Sequence, residues 1–509
     1  MIDGKRIGLI VAVAAGLGFV AAAFVVFRDL GPPPVRPDPA LRAESPADLE
    51  AAEAALRRVE ATLAQQSCAR PVLRGETSPG DGSAALHRLL GDDSPVRACL
   101  AIDHATVDAV MLGNELDGSL YGWAYDSADY DDRAPYGSSL RGFRVWPVPP
   151  YPSEHLPAPL TATLEACAGL PEAIDEVLGH ASVCSPWRVG VGRFEEGDVE
   201  RVSALASGIR VLARARVRAG EGAAAIELLL AGVRLFHDLG RGGVGMTAAV
   251  VASSGQWKLL NELQALAMLD LSLDPASVER LRGELDRLYA SHPPVGSVIA
   301  AELVLHGGWA AAQGEGRDRW AAYAEASVEL DGVDPSGAVE LLVAAANLSR
   351  SLEPSCLAAD SSDAGCYDRL ANLWEPLLGG IVGEGGRQLI LAKLDLRAAR
   401  ALLGFAAVRD AGEACPGRAG IPDADLELPG FEGGMNVAEV APGRLFELWA
   451  PQRMLPSSER ETRAIALIGA HCPGLPLAEA GVYFENEPYV EPGDFEADYD
   501  PDRDPYDYE

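Results

Sequence analysis

Residues 7–27, IGLIVAVAAGLGFVAAAFVVF, contain no charge and no strongly polar side chain. At about 1.5 Å per residue such a run makes a helix of about 31 Å, the thickness of a bilayer's hydrocarbon core. No polar face exists anywhere on it, which separates it from a helix that lies against a soluble core. Lys5 and Arg6 precede the run, and Arg28 with Asp29 follows. The positive flank stays cytoplasmic, so everything after Arg28 is expected on the far side. A cleaved signal peptide is the competing reading, with Ala21 and Ala23 as its site. Phe24-Val-Val-Phe27 carries the apolar run past that site and favours an uncleaved anchor. The expected location is the inner (cytoplasmic) membrane, single pass, with the bulk of the chain extracytoplasmic or periplasmic.

Four segments follow from this start. Residues 1–28 are the cytoplasmic stub and transmembrane anchor. Residues 29–45 are a linker in which Gly31-Pro-Pro-Pro-Val-Arg-Pro-Asp-Pro39 favours extended, stiff geometry. Residues 46–482 are expected to form a mainly α body of helical hairpins, solenoid-like in character. Residues 483–509 are an acidic tail.

The helical expectation rests on periodicity. Ser45-Pro46 reads as an N-cap followed by proline at the first helical position, and Leu49, Ala52, Leu56, Val59 and Leu63 keep helical spacing. Val202, Leu205, Ile209, Leu212 and Val217 make one stripe; Ile226, Leu229, Leu230, Val233 and Leu235 make the next. Further helices are predicted at 247–270, 275–290, 295–312, 336–350, 366–377 and 386–408. Asp274-Pro275 and Asp334-Pro335 supply helix starts. Residues 206–239 resemble a tetratricopeptide-type hairpin, with Leu212-Ala213 in its Leu-Gly position, Gly220 in the turn, and Ala225 and Leu229 at its A-x3-F spacing. Ile209, Arg216 and His237 stand where that family has tryptophan, tyrosine and proline. The resemblance covers this one unit and implies antiparallel helix pairs with a concave protein-binding face.

Residues 100–165 break the pattern. Tyr121, Trp123, Tyr125, Tyr130, Tyr136, Phe143, Trp146 and Tyr151 put eight aromatics into 31 residues, where the chain's 6% average predicts about two. Asp126, Asp129, Asp131 and Asp132 are interleaved. Aromatic faces beside carboxylates suit sugar stacking, cation capture or a protein hot spot. Tyr121, Trp123, Tyr125, Tyr130 and Trp146 are therefore the candidate binding residues of a loop-rich insertion; packing of the same rings onto the body is the plainer reading. Residues 411–443 are a second irregular stretch.

Cys68, Cys99, Cys167, Cys184, Cys356, Cys366, Cys415 and Cys472 all follow the apolar segment. An even count beyond a membrane suggests disulfides, and sequence neighbours are the expected pairs: 68–99, 167–184, 356–366 and 415–472. There is no C-x-x-C, P-loop, H-E-x-x-H or G-x-S-x-G. Glu302 and His306, at i and i+4, could share a metal but fit a helix-face hydrogen bond better. His237-Asp238 resembles the central dyad of HD-type phosphohydrolases; a cap on a helix C-terminus explains His237 more simply.

The 75 acidic residues outnumber the 42 basic ones, which leaves no electrostatic footprint for nucleic acid. The tail concentrates this imbalance, with eleven acids against Arg503. Such a segment buries too little apolar surface to offset its ordering and is expected to be disordered. Asp498, Asp500, Asp502, Asp504 and Glu509 approximate the ligand spacing of an EF-hand loop, although Arg503 stands where that loop turns on glycine. Weak divalent-cation binding is the expectation, with no other cofactor. The functional reading is a non-catalytic, membrane-anchored protein that binds a protein or envelope-polymer partner. The alternatives are an envelope enzyme with a pocket near the aromatic insertion, or a structural spacer.

Overall fold

The computed structural model describes residues 46–66, 68, 78–108, 158–189, 194–267, 274–312, 381–410, 417–429, 434–441, 445–449 and 464–469. The elements, in chain order, are α1 (Pro46–Ala64), β1 (Ser78–Asp81), α2 (Ser83–Leu90), α3 (Arg97–Leu100), α4 (Ala158–Ala166), α5 (Leu170–Leu178) and β2 (His180–Ser182). They continue with α6 (Glu196–Arg218), α7 (Gly222–Leu239), α8 (Met246–Ala267), α9 (Pro275–Ala290), α10 (Val295–Ala312) and α11 (Ile381–Asp410). A 3₁₀ turn (Gly417–Gly420), α12 (Asp423–Leu426), β3 (Asn436–Ala441), β4 (Leu445–Trp449) and β5 (Ala464–Gly469) complete the set. The fold is mainly α. Among the described residues no helix is long and apolar enough to cross a membrane; residues 7–27 lie outside them.

The two stripes read from the sequence become α6 and α7, an antiparallel pair that turns at Gly220, where φ is +80°. Glycine fits there because a Cβ would collide with the following backbone. From Ala225 to Leu239 every α7 side chain except that of Glu227 is buried. A helix buried all round belongs at the centre of a large core. α6, α8, α9 and α5 surround it, and α11 closes over α8 and α9 from far along the chain. A solenoid would instead stack each hairpin on its sequence neighbours. The packing here is that of one continuous core, which runs from Ala52 in α1 to Leu448 in β4.

Helix ends follow the predicted chemistry. Asp274 caps α9, its carboxylate accepting from the Ser277 N–H at 2.9 Å, with Pro275 in the first turn. α6 opens on a capping box in which Glu195 and Asp198 satisfy each other's backbone donors.

Three expectations need correction. The irregular insertion is shorter than residues 100–165, because residues 104–108 and Ala158–Ala166 are helical. The body is not helical to its end: β3, β4 and β5 form an antiparallel sheet in that order, pairing Val437 with Leu448 and Phe446 with Ile468. Phe446 and Leu448 alternate into the core, and the Phe446 ring meets Phe405 of α11 edge to face at 6.0 Å. Two of the expected disulfides, 68–99 and 167–184, are also not the ones formed. Cys68 pairs with Cys184 and Cys99 with Cys167, so the second bridge nests inside the loop closed by the first. The cause is the parallel pairing of β1 with β2, which returns the chain to its starting point before α6 begins. Val183 N–H donates to the Cys68 carbonyl at 3.0 Å and sets the two cysteines side by side. The expected helices at 336–350 and 366–377 lie outside the described residues, as do Cys356, Cys366, Cys415 and Cys472.

Candidate functional site

The two ends of the aromatic segment converge on one face of α6. Val107 on the incoming helix and Leu160 on the outgoing α4 pack against Val211 of α6, a small apolar cluster separate from the main core. Just beyond it, Cys99 and Cys167 are joined with their Cα atoms 4.6 Å apart, and both are fully buried. Gly208 of α6 lies directly over this bridge; a Cβ there would sit 2.8 Å from each sulfur. The absence of a side chain is what lets α6 approach.

Charged residues fasten the same junction. Asp108, the last described residue before the aromatic segment, accepts from Ser207 Oγ at 2.9 Å and Arg210 Nη1 at 3.0 Å. Its second oxygen takes Lys258 Nζ of α8 at 3.2 Å. Arg210 Nε reaches on to Glu262 at 3.2 Å, and Arg214 grips Glu262 with Nε at 2.6 Å and Nη2 at 3.0 Å. Burial pushes both carboxyls up, but Lys258 and Arg210 hold Asp108 below the usual carboxylate range, and Arg214 and Arg210 do the same for Glu262. His104, one turn before Asp108, is held below the ordinary imidazole range by burial and by the Lys258 charge, with Nδ1 3.2 Å from Glu200. Every oxygen of the two carboxylates in this set accepts from one of its three cations. Its geometry suits holding a segment in place.

The sequence missed this constellation, since the partners in each of its bonds are separated by 48 to 150 positions. One signal was present: Arg210 and Arg214 occur at i and i+4 within the apolar stripe of α6. Charges on a core-facing stripe need partners, although nothing local identifies them.

The remaining candidates separate cleanly. Glu302 and His306 make the expected helix-face bond, His306 Nε2 to Glu302 Oε1 at 2.7 Å. Glu302 Oε2 also accepts from the Met246 N–H at 2.6 Å, so the carboxylate caps the start of α8. Burial opposes its ionisation, but His306 and this N–H hold it below its ordinary range. Among the described residues no group of three or more His, Cys, Asp or Glu is arranged to hold a metal ion. His237 lies in the last turn of α7, as expected, and is buried there, 3.4 Å from Ser291 Oγ, with its ring beside His292. Tyr121, Trp123, Tyr125, Tyr130 and Trp146 lie outside the described residues, and so do Asp498, Asp500, Asp502, Asp504 and Glu509. No protein-family model matches the chain, and neither a curated protein nor a solved structure matches it.

Proposed function

We propose that this chain is a single-pass, membrane-anchored extracytoplasmic protein whose helical body presents an aromatic segment to a protein or envelope-polymer partner. The observation that carries the reading is the double fastening of the residues that flank 109–157 on either side. The Cys99–Cys167 bridge and the Val107–Leu160–Val211 cluster clamp both ends, and the Asp108 ion pairs lock one of them to α6 and α8. The two disulfides favour an oxidising compartment, as the anchor's orientation also requires. Within the segment, Trp123 and Tyr125 are the proposed contact residues. Residues 483–509 remain, on this reading, an acidic tail with weak affinity for divalent cations.

The test is site-specific photo-crosslinking in cells, with the crosslinker placed near Trp123. A discrete adduct that disappears in Trp123→Ala/Tyr125→Ala, with both bridges intact, is the expected result. Equal capture by the double variant would return the rings to a packing role. A reporter active only outside the cytoplasm, fused after Glu509, checks the topology; a silent but intact fusion removes it.

A further inference from the structure

The two bridges differ in their surroundings. Cys99 and Cys167 are 0% exposed and lie under α6. Cys68 and Cys184 are each partly exposed, at the junction between the end of α1 and the strand β2. Arg188 reaches across this second bridge, with Nη1 3.1 Å from Cys68 Sγ and 3.3 Å from Cys184 Sγ. Its Nη2 donates to the carbonyls of Leu63 at 3.0 Å and Gln66 at 3.3 Å, closing the C-terminus of α1. The guanidinium is thus fixed by backbone acceptors and does not depend on the disulfide for its position. Arg241 Nη2, 3.3 Å from the Cys68 carbonyl, brings a second guanidinium to the same turn.

We propose that Cys68–Cys184 is a thiol–disulfide exchange site for a dithiol reductant, with Arg188 as the group that stabilises the expelled thiolate. A thiolate of the dithiol attacks one sulfur of the bridge. The S–S bond breaks, and its electron pair leaves on the other sulfur, which both distances place within hydrogen-bond reach of Arg188 Nη1. The dithiol's second thiol then displaces the mixed disulfide, so the reductant closes into its own disulfide and gives up two electrons. The bridge takes up those two electrons and the proton of the second thiol, becoming one thiolate beside Arg188 and one cysteine thiol. A fixed cation lowers the pKa of the leaving thiol, which speeds exchange and favours the open form. The last turn of α1 carries partial negative charge and opposes the thiolate, but Arg188 already occupies those carbonyls. Opening releases the covalent link between α1 and the body while α1 stays packed on α10. Cys99–Cys167 has no exposed sulfur to attack and remains a permanent staple.

The experiment uses the full-length chain in detergent micelles, poised in dithiothreitol buffers of increasing strength and trapped by alkylation. Mass mapping then assigns each cysteine. Cys68 and Cys184 should be alkylated at a reductant concentration at least about tenfold below that needed for Cys99 and Cys167. Arg188→Met should require about tenfold more reductant than the wild type to open the first bridge, and Arg188→Lys should restore most of the difference. Simultaneous opening of both bridges in the wild type overturns the proposal, whatever the variants do. So does an Arg188→Met chain, folded by circular dichroism, whose bridge opens at the wild-type concentration.

Discussion

Two of the buried arginine–carboxylate clusters among the described residues are built differently. The cluster between α6 and α8 is closed on itself. Both oxygens of Glu262 and both of Asp108 accept from a cation, and Glu262 has 1% of its side chain exposed. The cluster between α9, α11 and α12 is open at one side. Asp286, 39% exposed, takes Arg397 Nη1 at 2.5 Å and Arg400 Nε at 2.9 Å. Asp425 is fully buried but uses one oxygen for both Arg282 and Arg400, and its Oδ2 has no partner among the described residues. Arg282 also contacts Glu279 at 2.9 Å on the surface. Charges sealed on all sides lose everything when one partner is removed, whereas charges with a second partner or water within reach can be redistributed. The first arrangement holds the root of the aromatic segment, and the second attaches α12 and the sheet to the helices.

The largest effect should therefore come from Glu262→Gln. It keeps the shape but removes the buried charge that Arg214 and Arg210 share, although Arg210 keeps Asp108. A loss of about 3–5 kcal/mol in unfolding free energy is expected from denaturant titration. A loss below about 1 kcal/mol would show that water reaches the cluster. The same variant sharpens the acid response. Glu262 is held below its ordinary pKa in the folded state, so the unfolded chain binds the proton first. Its contribution is complete above the usual carboxylate range and disappears as pH falls through the lowered folded value. Glu262→Gln should flatten that acid limb, and an unchanged limb would mean another carboxylate governs it.

A middle-sized effect is expected for Asp425→Asn, about 1–3 kcal/mol. The carboxamide retains one acceptor oxygen, and its NH₂ group takes over the position that is unsatisfied in the carboxylate. Arg400 keeps Asp286, and Arg282 keeps Glu279. If Asp425→Asn proved as damaging as Glu262→Gln, the distinction between a sealed and an open cluster would fail.

These sites also mark where the sequence stops being informative. Local patterns are legible: the stripes of α6 and α7, the Asp274-Pro275 start of α9 and the Gly220 turn were all readable over fewer than about twenty residues. The Glu302–His306 bond was readable for the same reason, because both residues share one helix face. What needed a partner elsewhere was not. The disulfide pairing depends on β1 meeting β2 across 102 positions, and strands of four and three residues leave almost no periodic trace. β4, Leu445-Phe-Glu-Leu-Trp449, has one polar residue among four apolar ones and so offers no alternation to read. Asp108 gave no hint that it was anything but a surface acid.

The smallest expected effect belongs to His104, at the edge of the sealed cluster. Burial and the Lys258 charge hold its imidazole below the ordinary value of 6.5, while Glu200, Asp108 and Asp103 pull the other way. The folded state thus binds the proton less readily than the unfolded state. Stability is complete above the unfolded value, and it declines as pH falls through 6.5 toward the lowered folded value. Protonation does create an ion pair with Glu200 at 3.2 Å, but the Glu200 side chain is 67% exposed. Such a pair is worth at most about 1 kcal/mol, too little to reverse the penalty set by burial and Lys258. His104→Gln keeps an N–H donor for Glu200 and cannot titrate. Urea midpoints taken at about pH 7.5 and about pH 5.5 should fall further for the wild type than for His104→Gln, by less than about 1 kcal/mol. Equal losses in the two chains would place His104 outside the field of Lys258, and the cluster would end at Asp108.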